Sequence, residues 1–232
     1  MLFLSDTTFQ EAWQIFVEEF PFALWETVYA TILATLFAVI IGLPLGILLV
    51  VGEKDNILPL PKPVLSILNW LINIFRSIPF LILMILVLPL SAVIVGTKVG
   101  TVASIVPLVI AAAPFVARLI EGSIREVDSH LVEAALSMGA SPFQIIMKVL
   151  IPEAMPAIVS NLTIALTTIL GYTAMSGAIG GGGLGKIAIS YGYYRFNMPV
   201  MIMAVIVLIL LVQAFQSLGT FIASKIDKRV KR

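Results

Sequence analysis

No cysteine occurs among the 232 residues, and histidine occurs once. Disulfides, thiolate metal sites and cysteine nucleophiles are therefore excluded, and His130 has no second imidazole with which to hold a metal. Charge is scarce as well: 12% of the residues are Asp, Glu, Lys or Arg, and the net charge is +1. Soluble domains carry about 25% charged residues, and a near-neutral chain lacks the electrostatic footprint of a nucleic-acid binder. Hydrophobic residues take up the difference, at 60% of the chain, and the mean hydropathy is +1.10. A globule of this size has too much surface to hide that excess, so lipid is the expected solvent for most of the chain. The first charges, Asp6, Glu11, Glu18 and Glu19, are acidic. With no basic stretch ahead of an apolar run, the amino terminus is not expected to be a signal peptide.

A bilayer core about 30 Å thick takes about 20 residues of helix. Five windows qualify: 22–51, interrupted late by Gly42, Pro44 and Gly46; 78–95, approached from Val64 by a more amphipathic stretch; 102–120; 157–179; and 198–223. The expected fold class is all-α, a polytopic membrane bundle of five helices with its termini on opposite sides. Prolines punctuate the spans (Pro44, Pro79, Pro89, Pro107, Pro114), as suits helices that rock, although membrane helices tolerate proline for other reasons. In the segment 1–21, Phe9, Trp13, Phe16, Val17 and Phe20 recur at helical spacing. This predicts either a helix lying in the outer interface or an extension of the first span. With the basic tail 224–232 placed in the cytoplasm, the inner segments hold ten Lys and Arg: Lys54, Lys62, Arg118, Arg125, Lys148, Lys225, Lys228, Arg229, Lys231 and Arg232. The outer segments hold three, Lys98, Lys186 and Arg195, with Arg76 ambiguous. That asymmetry puts the amino terminus outside and the carboxyl terminus inside.

Between the third and fourth spans, residues 128–150 interrupt the apolar chain. Asp128 or Ser129 caps a first helix that runs to about Met138, and Gly139 suits the left-handed residue that ends it. Ser141-Pro142-Phe143-Gln144 then reads as a new start, with serine at N-cap, proline at the first helical position and glutamine placed for a capping box. Three uses compete: a plain connector, a DNA-binding helix-turn-helix, and a docking knob for a soluble partner. Lys148 is the only cation between Leu131 and Pro152, which disfavours DNA. In a docking knob the small residues Ala134, Ala135 and Gly139 permit close approach, and Glu133 fixes the register.

Further on, Gly180 through Lys186 satisfies the phosphate-loop spacing G-x-x-x-x-G-K. Ile187 stands where a magnesium-ligating serine or threonine belongs, and a membrane span rather than a strand precedes the run, so ATP is not expected here. The run is then either a flexible connection or a place where backbone closely approaches backbone or substrate. On the fourth span Asn161, Thr168, Tyr172 and Met175 share one helical face, with Ala165 between. They either hydrogen-bond to neighbouring helices or line a translocation path with Met175 as its gate. Arg118, Glu121 and Arg125 read as a salt-bridged helix end, and His130 as a solvated or capping residue.

The segment Glu133-Ala134-Ala135, three residues, Gly139, nine residues, then Val149, Ile151 and Pro152 resembles the EAA loop of ATP-binding-cassette importer permeases. The last two aliphatic residues differ mildly from that family's usual isoleucine and leucine. The resemblance implies that Glu133, Ala134, Ala135, Gly139, Ser141 and Pro142 couple to an ATPase subunit. It also implies a homodimer in the bacterial cytoplasmic membrane, two copies of the ATPase and an extracytoplasmic solute-binding lipoprotein. This chain would then be no enzyme and would carry no cofactor, ATP and Mg being held by the partner. The glycine- and tyrosine-rich stretch, including Ala188-Ile189-Ser190-Tyr191-Gly192-Tyr193-Tyr194, is similar to the methionine-uptake branch of that family. Similarity of architecture runs from about Phe22 to Ala223. Two rivals stay open. An ion-coupled secondary amino-acid transporter would need an intramembrane acid, for which Glu26 and Glu153 are the candidates. An intramembrane enzyme is poorly served by one histidine and no cysteine.

Overall fold

The structure is a computed structural model that describes residues 6–227. Residues 1–5 of the amino-terminal segment, and Lys228, Arg229, Lys231 and Arg232 of the basic tail, lie outside the described residues. Among the described residues the chain is helical throughout, without a strand. The helices are α1 (Asp6–Glu18), α2 (Phe20–Val51), α3 (Lys62–Ser77), α4 (Phe80–Val95), α5 (Thr101–Arg125), α6 (Ser129–Ser137), α7 (Pro142–Ile145), α8 (Ile151–Ser176), α9 (Gly183–Ile187) and α10 (Met198–Ile226). Four runs are long and apolar enough to cross a membrane: α2, α5, the stretch Pro142–Ile179 and α10. The pair α3 and α4, taken together as one broken span, makes the fifth. Pro79 explains the break, because it disfavours helical backbone at Ile78 and cannot itself donate a hydrogen bond.

The described chain falls into two compact units, one made of residues up to 36, 78–111 and 166–215, the other of 37–77, 112–165 and 216 onward. The core of the first joins Ala12 and Ile15 of α1, Phe20 and Ala23 of α2, Leu184 and Ile187 of α9, and Val200 and Ala204 of α10. This divides the apolar stripe expected on α1. Phe20 packs inward and Phe16 is half-buried, whereas Phe9, Trp13 and Val17 point out. The small Ala12 and the aliphatic Ile15 supply the inner face instead. Helical bonding carries across the junction with α2, since Glu19 N–H donates to Ile15 O and Ala23 N–H to Glu19 O.

In the second unit, Leu49, Ile72 and Ala117 form a core with Leu45, Leu65 and Leu68. The interruption expected at Gly42, Pro44 and Gly46 does not occur, and α2 runs through all three. The two glycines permit contact with α5 instead: a methyl on Gly42 would sit 2.8 Å from the Ala113 carbonyl oxygen, and one on Gly46 would sit 2.5 Å from that of Ala117. Helix α3 sends Ile72, Leu65 and Leu68 toward that core and leaves further apolar side chains outside. Asn69 and Asn73 accept hydrogen bonds from the Arg118 guanidinium at 2.8 and 3.0 Å, while Ile67, Trp70 and Ile74 are exposed. Exposed apolar side chains, with polar groups that find protein partners, are what a lipid solvent demands. Thr31, Thr35 and Thr173 follow the same rule by donating to the carbonyl four residues back.

Candidate functional site

The knob between α5 and α8 is built by local sequence. Asp128 accepts from His130 N–H at 2.9 Å and so caps α6. At the other end Gly139 is left-handed (φ 77°), and Gly139 N–H and Ala140 N–H donate back to Leu136 O and Ala135 O. This pair of bonds is the Schellman closure. Ser141 and Gln144 form the reciprocal capping box. The second helix does not stop short of the fourth span. It passes through a π-helical turn, Ile146–Leu150, straight into α8. The physical cause lies at Pro152, which cannot donate to Lys148 O. Ile151 N–H donates instead to Ile146 O, five residues back, and the wider turn accommodates the ring.

The candidate coupling residues therefore divide. Glu133, Ala134, Gly139 and Ser141 are exposed and Pro142 is half-buried. Ala135 is buried, as are Ile145 and Leu150 beside it. Around the exposed set stand apolar side chains that the sequence reading did not single out: Met138 (81% exposed), Phe143 (71%) and Met147. A cavity of about 540 Å³ lies against the knob, lined by Glu53, Asn56, Arg125, Val132, Glu133 and Leu136 among others. Arg125 there bridges Glu53 at 2.6 Å and Glu121 at 3.0 Å. Glu121 also meets Arg118 at 2.5 Å, giving the salt-bridged helix end expected from the spacing. His130 is an exposed neighbour of Glu133, 3.6 Å away.

Along α8, Asn161 donates to Ser123 Oγ at 2.9 Å and to Leu119 O at 3.3 Å, so it hydrogen-bonds to a neighbouring helix within the second unit. Thr168, Tyr172 and Met175 belong to the first unit. Thr168 and Tyr172 are half-buried, Tyr172 stacks on Phe80 with ring centroids 4.3 Å apart, and Met175 is exposed.

The glycine run is neither a phosphate cradle nor loose. Gly181, Gly182, Gly183 and Gly185 are buried. Gly183 N–H donates to Glu26 Oε2 at 2.8 Å, and Leu184 N–H donates to Thr27 Oγ1 at 2.9 Å. The other Glu26 oxygen accepts from Thr101 at 2.6 Å. A cavity of about 560 Å³ borders this segment, with Glu18, Glu26, Lys186, Tyr191 and Arg195 among its lining. The Tyr191 hydroxyl donates to Glu19, and the Arg195 guanidinium lies over its ring. The Glu19 carboxylate, with some burial, raises the Tyr191 pKa above the ordinary phenol value.

Residues 42–232 match the family model of the binding-protein-dependent transport system inner membrane component. The chain belongs to that family. This permease is 48% identical over 207 residues to the probable D-methionine transport system permease protein MetI of Vibrio cholerae, covering 89% of this chain and 92% of that one. It is 48% identical over 168 residues to the methionine import system permease protein MetP of Bacillus subtilis, covering 72% and 76%. Its structure matches a chain of the MetNI methionine ABC transporter, solved in inward-facing conformations, with a TM-score of 0.86 and 44% identity over 88% and 94% of the two chains. The permease is thus a multi-pass inner-membrane transport subunit and not an enzyme. The sequence reading weighed Glu26 only as a coupling acid, but the structure makes it the cap of the glycine segment. An acid placed one residue before Thr27 inside an apolar run was the available signal, and nothing local tied it to Gly183.

Proposed function

We propose that the permease carries methionine across the bacterial cytoplasmic membrane, as a homodimer powered by two copies of an ATPase subunit and loaded by an extracytoplasmic binding lipoprotein. The methionine assignment rests on the similarity to MetI, MetP and the MetNI chain. ATP and Mg belong to the ATPase, and this chain contributes no cofactor. The amino terminus lies outside and the carboxyl terminus inside, on the strength of the Lys and Arg asymmetry. One structural observation carries the coupling role. The knob buries Ala135 and Ile145 and exposes Glu133, Ala134, Gly139 and Ser141 beside Met138 and Phe143. Exposed apolar side chains on a capped, anchored scaffold suit a partner groove better than they suit water.

ATP binding closes the motor subunits, which draw the knobs along and switch the bundle from inward- to outward-facing. Hydrolysis then resets the bundle. This is coupling between two sites through a two-state element. Thr168, Tyr172 and Met175 line the path in this scheme, and Asn161, bonded to α5, braces it. The test is reconstitution in vesicles with the ATPase and the binding protein. Uptake of labelled methionine should require ATP. Glu133→Arg and Gly139→Trp should leave the permease folded while ATPase co-purification falls and uptake is lost. Wild-type co-purification by both variants, or uptake that persists without any ATPase, would overturn the reading.

A further inference from the structure

Four consecutive glycines, Gly180–Gly183, have no side chains with which to hold their own place, and their backbone has the widest freedom of any residue. Yet Gly181, Gly182 and Gly183 are buried and tightly seated. A methyl on Gly181 would sit 2.8 Å from Ser104 Oγ, one on Gly182 would sit 2.6 Å from Glu26 Oε2, and one on Gly183 would sit 2.5 Å from Thr27 Oγ1. Gly182, at the N-cap of α9, offers no capping side chain of its own. The caps come from α2 instead, through Glu26 to Gly183 N–H and Thr27 to Leu184 N–H. Glu26 simultaneously accepts from Thr101 at the start of α5, next to the backbone bond from Gly100 N–H to Gly180 O. The segment in turn abuts the end of α8, where a methyl on Gly177 would lie 2.5 Å from the Gly185 carbonyl carbon.

A carboxylate within a spanning helix is costly, and a neutral side chain would suffice to cap one amide. With its two acceptor oxygens, the Glu26 carboxylate ties both α5 and α9 to α2. We propose that Glu26 is a positioning residue for transport. By locking the glycine segment against the end of α8 it holds the Thr168–Tyr172–Met175 side in the register that substrate passage requires. The proposal rests on the transport reading above and names a residue outside the coupling knob and the path.

The absence of native cysteine makes the lock directly readable. Ile187→Cys places a thiol at a site 4% exposed, which a membrane-impermeant maleimide should label slowly in the assembled complex. Combined with Glu26→Gln, or with Thr101→Val, which removes the hydroxyl that donates to Glu26 and also contacts Tyr29, labelling should accelerate at least tenfold. In the same complexes carrying Ile187, ATP hydrolysis without binding protein should stay within twofold of wild type. Maximal uptake should fall at least tenfold, with the apparent KM for delivered substrate moving less than threefold. Glu26→Ala should be the more severe change, because Gln keeps one acceptor. Faster labelling with unchanged uptake would show a lock of structural importance only and overturn the proposal. So would labelling that stays slow in both variants. Should the Glu26 variants fail to assemble, Thr101→Val decides alone by the same criteria. A wild-type complex that transports nothing would sink the transport reading, while a labelling difference would still report the lock.

Discussion

Two helix-embedded glycines act in opposite directions. At Gly46 a methyl meets the Ala117 carbonyl oxygen and the Ile120 side chain of α5, whereas at Gly122 it meets nothing within 4 Å. Gly46→Ala should therefore cost about 1–3 kcal/mol through overpacking, and Gly122→Ala should raise stability by up to about 1 kcal/mol through helix propensity. Thermal unfolding of the purified permease in detergent checks both signs. Tyr191 gives a pH prediction at the same scale. Its folded pKa is raised above the unfolded value by the bond to Glu19, by burial and by the charge of Glu19. The stability this contributes is whole below the ordinary tyrosine pKa of about 10 and is lost as pH rises through the folded value. Melting temperatures should be flat from neutral pH to that point, and Tyr191→Phe should remove part of the alkaline fall above it.

Among the elements, α6 and α7 were legible because every bond that starts or stops them lies within five residues. Asp128, Gly139, Ser141 and Gln144 each do what their types suggest. Ser141→Ala should cost about 1 kcal/mol locally, seen as faster amide exchange at residues 143–145 with little change in global unfolding. The π turn was not legible, because Pro152 states only that a donor is missing and not how the chain compensates. The attachment of α3 was hidden for another reason: its polar stripe could face water or protein with equal periodicity. The Arg118 guanidinium decides it by binding Asn69, Asn73 and Glu121. Arg118→Met, which strands the half-buried acceptors on Asn69 and Glu121, should destabilise by about 1–3 kcal/mol. Glu53→Gln, at the exposed bridge to Arg125, should change stability by about 1 kcal/mol or less. Comparing the two variants under one denaturation protocol tests the ranking.

For the whole molecule, the solvent sets the pattern. The stripe of Ile202, Ile206, Ile209 and Leu210 exposed on α10 would be a liability in water, and in a bilayer it is the resting condition of a spanning helix. The proposed orientation gives its own prediction. Single cysteines at Lys98 and Lys186 should react with an impermeant reagent added outside intact cells, and one at Lys148 should react only after the membrane is opened. Labelling of Lys148→Cys from outside would invert the assigned orientation and remove the knob from the ATPase side.

The sequence by itself determined the solvent, the helical class, the approximate spans and the capped knob. Transfer to lipid adds up residue by residue, and caps are settled among near neighbours in the chain. Tertiary structure alone decided that Glu26 and Thr27 seat a glycine segment 157 positions away, that Gly42 and Gly46 serve a helix contact rather than a break, and that Asn161 bonds to α5. Which remote backbone lies within 3 Å depends on how helices cross, and a periodic pattern carries the facing of a helix without the identity of what it faces.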